Sequence, residues 1–174
     1  MANPTLPRDH VHRISEECGS NAAHFQSIAQ RILSEQPRLL RFFKANLDAM
    51  APQTGEVSLY LLAVVVQIFA RSGGKLGRVD GAAIDAATRR IQGIGGTLLP
   101  VDKDFPARVR GVEWRAQPHI LDEALHALFE REERRDNEVS VPPDQSALLF
   151  LMLWAGTEAL DQAWKAPSAP EWSA

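Results

Sequence analysis

The chain has 174 residues, 45% of them hydrophobic and 24% charged, which is enough for one ordinary domain with a sizeable core and too little for two. A net charge of −3 and a pI near 5.9 argue against a general nucleic-acid binder, and the single cysteine, Cys18, excludes an internal disulfide framework and any all-cysteine metal site. The charge is uneven: residues 1–87 carry +1, residues 88–115 carry +3 and residues 116–174 carry −7, so the last third repels a phosphate backbone.

Residues 1–18 are rich in charge (Arg8, Asp9, Arg13, Glu16, Glu17) and hold no continuous apolar stretch, which does not read as a secretory signal. A cytoplasmic protein is expected. Val11, Ile14 and Cys18 fall on one side of a short helix over Pro7–Cys18, stopped by Gly19. A second helix over Ala22–Glu35 turns Phe25, Ile28 and Ile32 inward. Pro37 fits the first turn of a third, Pro37–Met50, which buries Leu39, Leu40, Phe43 and Leu47. Ala51–Gly55 reads as a turn by composition.

A fourth helix, Glu56–Ser72, is apolar nearly all round and ends at Gly73 and Gly74. Its apolar run and that of Ala147–Ala155 are both shorter than the roughly 20 residues that a membrane span needs, so both read as central helices of a bundle. Asp80 opens a fifth helix to Gln92, and Gly93–Gly96 is expected to terminate it. Thr97–Asp104 is a loop. A weaker helical segment covers Pro106–Arg115. Pro118–Arg135 and Asp144–Trp164 follow as helices, with Pro167 and Pro170 marking a loose tail.

One pattern rises above composition. Gln36-Pro37-Arg38-Leu39-Leu40 returns as Gln117-Pro118-His119-Ile120-Leu121, each copy followed by an amphipathic helix, a polar loop and a nearly all-apolar helix. The apolar helices open alike, with Glu56-Val57-Ser58-Leu59 and Asp144-Gln145-Ser146-Ala147. One such hairpin cannot cover its own apolar helix, whereas two placed face to face can. The apolar helices are therefore expected to touch along a pseudo-two-fold axis.

Signals for chemistry are sparse. His10, His12, Glu16 and Cys18 include proper metal-ligand types, but His10 and His12 are two apart and point away from each other on a helix, so a solvated segment is the better reading. Glu123 and His126 form an E-x-x-H with His119 on the same side, yet the repeat-equivalent positions are Phe42 and Ala45, which cannot complete a di-iron set. The glycine clusters at 73–77 and 93–96 match no phosphate-loop motif. Acidic neighbours raise the pKa of Cys18 rather than activate it. Tyr60 and Gln67, seven apart on the first apolar helix, are the residues that would line a pocket there. Arg89, Arg90, Arg108 and Arg110 make the best basic docking patch, and Glu130–Glu138 reads as a solvated helix end.

Together these specify an all-α, single-domain bundle of about six to eight helices, built around two related helical hairpins, about 37–72 and 118–164. The domain spans 1–166, with an internal duplication over 22–72 and 103–164, and 167–174 is a flexible C-terminal tail. The expected function is a non-catalytic protein–protein interaction or adaptor module. One alternative is a sensor or enzyme with a pocket between the two buried helices at Tyr60 and Gln67. Another is a nucleic-acid-associated regulator using the arginine patch. No cofactor or metal is expected; the expected partner is a protein or a second copy, with nucleic acid and membrane disfavoured.

Overall fold

The computed structural model describes residues 2–131 and 140–173, which form an all-α bundle. In chain order the helices are α1 (Arg8–Ser20), α2 (Ala22–Ser34), α3 (Pro37–Leu47), α4 (Pro52–Arg71), α5 (Gly81–Leu98), α6 (Phe105–Arg110), α7 (Pro118–Leu125) and α8 (Pro143–Ala163). Two short strands, β1 (Lys75–Leu76) and β2 (Trp164–Lys165), pair antiparallel, and a single 3-10 turn covers Glu171–Ser173.

The centre is α8, whose residues 152–160 are buried without interruption. It packs on α4 and α5, with α7 and α3 outside the pair, so the two apolar helices do touch. Gly156 lies at the crossing. A Cβ there would stand 3.4 Å from Leu39 Cδ1 and 3.5 Å from Phe43 Cε2. α3, α4 and α8 meet at that point, with Leu39, Phe43 and Leu62 all essentially inaccessible to water.

Several boundaries depart from the sequence reading: α1 runs through Gly19 to Ser20 and α3 stops at Leu47, short of Met50. α4 begins at Pro52, not Glu56, because Ala51 N–H and the Thr54 hydroxyl both donate to Gln145 Oε1 of α8, which holds the opening turn against its neighbour. The helix is therefore 20 residues long and, by length and composition alone, long and apolar enough to cross a membrane; half of its most apolar window is buried inside the bundle. α5 runs through Gly93–Gly96 to Leu98, since none of these glycines takes the left-handed conformation that ends a helix. Its buried stripe Ile84, Ala87, Ile91 continues beyond them to Leu98, and burial against α8 outweighs about 1 kcal/mol of propensity per glycine. α6 is limited to Phe105–Arg110. α7 passes at Leu125 into a π-helical turn, His126–Glu130, and the expected continuation to Arg135 lies largely outside the described residues.

The two Gln-Pro starts have matching roles. Gln36, only 3% exposed, donates from Nε2 to Gly77 O and accepts at Oε1 from Val79 N–H. Gln117, also 3% exposed, donates to Pro4 O and accepts from Leu6 N–H, with a further bond to Asp161. Each amide thus bridges the carbonyl and the next-but-one N–H of an extended stretch that leads into another helix: Val79 precedes α5 and Leu6 precedes α1. Between the ends of α4 and α8, Leu76 pairs with Trp164, flanked by Gly77 N–H donating to Ala163 O at 2.9 Å.

Candidate functional site

Among the described residues, a concavity lies where α1, the end of α4 and the segment after α8 converge. It is a cleft of about 540 Å³ lined by His10 and Arg13 of α1, Arg71, Ser72 and Gly73 at the end of α4, and Pro167, Ala169, Glu171 and Trp172. The last carbonyls of a helix lack intrahelical donors. Two indoles donate to the carbonyls at and just beyond the α4 C-cap: Trp172 Nε1 to Ser72 O at 3.0 Å and Trp164 Nε1 to Gly73 O at 2.9 Å. The residues read from sequence as a loose tail thus lie against the domain, with Trp172 half-buried, its ring centroid 6.0 Å from that of His10.

The polar groups of the cleft form a directed chain. Ser72 is buried and its one hydroxyl proton goes to Ile68 O at 2.6 Å, so Ser72 Oγ accepts from His10 Nε2–H at 3.0 Å. Arg13 Nη2 donates to His10 Nδ1 at 3.2 Å, which fixes a neutral imidazole with its proton on Nε2. Burial, and then the guanidiniums of Arg13 and Arg71, hold the His10 pKa below its ordinary value. A serine beside a histidine suggests nucleophilic catalysis, but the geometry runs the other way. The hydroxyl faces a carbonyl, and an arginine stands where a carboxylate would orient the imidazole. Glu17 collects both guanidiniums, Arg13 at 3.2 Å and Arg71 at 2.5 Å, and its carboxyl lies below the usual range, first through the Arg71 hydrogen bond.

A second polar cluster joins the α6–α7 connection to α8. Trp114 stacks on Trp154, with centroids 5.2 Å apart, and carries the Arg90 guanidinium 3.9 Å above its ring centroid. Beneath them, Glu158 Oε1 accepts from Ala116 N–H at 2.8 Å and from the Trp154 indole at 3.0 Å. Burial pushes this carboxyl up from the ordinary glutamate value. Asp122 on α7 is approached by Arg8, Arg110, Arg115 and His119, the nearest being Arg115 at 3.1 Å.

The sequence-nominated residues are largely placed elsewhere. Tyr60 meets Phe25 of α2 edge-on at 5.4 Å, so its side of α4, which Gln67 shares by spacing, looks toward α2 and not into the α4–α8 contact. Of the arginine patch, Arg108 binds Leu98 O, Pro100 O and Asp102, Arg110 forks onto Glu130, and Arg90 lies over Trp114; Arg89 is exposed. His10 and His12 part company, with His12 Nδ1 2.8 Å from Glu123 Oε1, which raises the His12 pKa through that hydrogen bond first. Cys18 is buried and its thiol pushed up by that burial. Among the described residues no group of three or more His, Cys, Asp or Glu side chains converges on a metal position.

Sequence reasoning missed Arg13, Arg71, Ser72 and Trp172 as a group. The available signal was Trp172 itself, a large aromatic in a stretch otherwise made of proline, serine, alanine and one glutamate. Comparison with known protein families, curated proteins and solved structures finds no match.

Proposed function

We propose that this chain is a non-catalytic interaction module and that the cleft between α1, the end of α4 and residues 167–172 is its contact surface. The observation that carries this reading is the locked polar chain Arg13 to His10 to Ser72 to Ile68, which fills the cleft with positioned donors and rings but leaves no activated nucleophile. Arginine and tryptophan on its rim are residue types that concentrate binding energy at protein interfaces. Affinity capture with the full chain and with a full-length Arg13→Glu/Arg71→Glu double variant tests it. A partner held by the first and lost from the second supports the reading; partners indifferent to both reversals overturn it. Turnover of an ester or phosphoester that disappears in Ser72→Ala would overturn the non-catalytic part.

The same proposal includes an internal duplication. Its support is the matched bonding of Gln36 and Gln117, each gripping an extended stretch that leads into a helix outside the two copies (α5 and α1), and the antiparallel pairing of Leu76 with Trp164 between the ends of the two apolar helices. Comparable losses of stability in Gln36→Ala and Gln117→Ala, measured by urea unfolding, are the test.

A further inference from the structure

The likeness between the two halves does not stop at the helical hairpins. Val11, Ile14 and Cys18, the buried stripe of α1, recur in α5 as Ile84, Ala87 and Ile91 with the same intervals of three and four residues. Leu6 stands five residues before the first stripe and Val79 five before the second; both are buried, and each gives its N–H to a glutamine, Gln117 and Gln36 respectively. Packing follows the same order. α1 lies on α4 and α7, and α5 lies on α8 and α3, while α2 bridges α1 and α3 as α6 bridges α5 and α7. α6, six residues against the thirteen of α2, is the reduced member. The connections close the pattern. β1 leads from the end of α4 into the latched stretch 77–79. Its counterpart β2 leads from the end of α8 to Ala166, whose N–H reaches Asn3 Oδ1 at 3.4 Å, and Asn3 Nδ2 donates to Trp164 O at 2.8 Å. The end of the second half thus lies beside the start of the first.

From this we infer that the chain is an internal dimer: two copies of one four-helix unit, 4–76 and 77–165, in which the glutamine of each copy holds the N-terminal stretch of the other. The inference rests on the duplication read from the hairpins and enlarges it, because α1 and α5, outside the copies as the hairpins define them, become their first helices. The surface that α4 and Gln36 present is built for the other unit and is occupied within the chain. The same alignment separates scaffold from site. His10 and Arg13 of the cleft correspond to Ala83 and Ala86 of α5, so the locked polar chain belongs to the first unit alone.

Equivalent segments are interchangeable in register, which unrelated helices are not. The test is a full-length chain in which the sequence of residues 77–91 is copied in place of residues 4–18, set beside a shifted graft that copies residues 79–93 into the same place. The first keeps Ile84, Ala87 and Ile91 on the buried positions 11, 14 and 18; the second carries them to the exposed positions 9, 12 and 16. By circular dichroism and light scattering the first should be a helical monomer with a cooperative melt about 10 °C below wild type, since isoleucine overpacks the Cys18 site. Adding Gln117→Ala should lower that melt by several degrees more, because the grafted stretch is latched as the native one is. The shifted graft should melt at least about 10 °C lower than the in-register graft, or not cooperatively at all, and should not respond to Gln117→Ala. The reciprocal graft, residues 4–18 in place of 77–91, repeats the test against Gln36, so the outcome does not hang on one chain. Failure of both in-register grafts to fold, equal stability of in-register and shifted grafts, or indifference of the in-register graft to Gln117→Ala overturns the inference. Comparable losses in Gln36→Ala and Gln117→Ala alongside failure of both grafts would sink it and leave the hairpin duplication standing.

Discussion

Replacing Gln117 by alanine removes three side-chain bonds at once. Leu6 N–H is left buried without an acceptor, because Leu6 is fully inaccessible to water, and Pro4 O and Asp161 lose their donor. An orphaned buried N–H costs about 1–3 kcal/mol, and each remaining bond about 0.5–1.5 kcal/mol, so the loss should be about 2–6 kcal/mol. Gln36→Ala strands the N–H of buried Val79 and frees Gly77 O, for about 2–4 kcal/mol. At about 2–4 °C per kcal/mol for a domain of this size, either variant should melt several degrees lower. Backbone conformation separates the two sites. Gln117 sits at φ +46°, where glycine relieves about 1–2 kcal/mol of strain, so Gln117→Gly should be less damaging than Gln117→Ala. Gln36 has φ −122°, where glycine brings only extra chain entropy, so there the order reverses. Urea unfolding gives the free energies. Native-state hydrogen exchange should show Leu6 losing protection only in the Gln117 variants and Val79 only in the Gln36 variants. Losses under about 0.5 kcal/mol with both amides still protected would refute the bonding argument.

Other expectations concern the core and the titratable groups. Glu158→Ala, which strands Ala116 N–H and the Trp154 indole, should cost about 2–4 kcal/mol by urea unfolding, whereas Glu158→Gln, which keeps an acceptor and removes a buried charge, should be near neutral or stabilising above pH 7. Because the folded state holds the Glu158 proton more tightly than the unfolded state, its contribution is present below the ordinary value of 4.5 and is lost as pH rises through the raised folded value; Glu158→Gln should lack that slope. The two α1 histidines act with opposite signs. His10, lowered when folded, weakens the fold as pH falls below 6.5, and His12, raised by Glu123, loses its contribution as pH rises above 6.5, so melting-temperature profiles of His10→Ala and His12→Ala should flatten on opposite sides. Gly156→Val should destabilise by about 1–3 kcal/mol or more through overpacking against Leu39 and Phe43, and retention of wild-type stability would show that the α3–α4–α8 crossing is looser than it stands.

Sequence by itself determined the all-helical architecture, because helix-period apolar stripes and prolines at first-turn positions are local signals. Pro37 and Pro118 both open helices where expected, and the two apolar stretches became the touching central helices α4 and α8. What tertiary structure alone decided is every feature whose partner is far away in the chain. Gly93–Gly96 reads locally as a stop, yet α8 keeps it helical; Ala51–Gly55 reads as a turn, yet Gln145 winds it into α4. The arginine patch looked available because sequence shows the cations but not Glu130, Asp102 and the Trp114 ring that occupy them. Most consequential is Trp172, whose indole reaches a carbonyl 100 positions earlier, at the end of a helix where no intrahelical donor exists. No periodicity encodes that contact, and it is the one that builds the cleft.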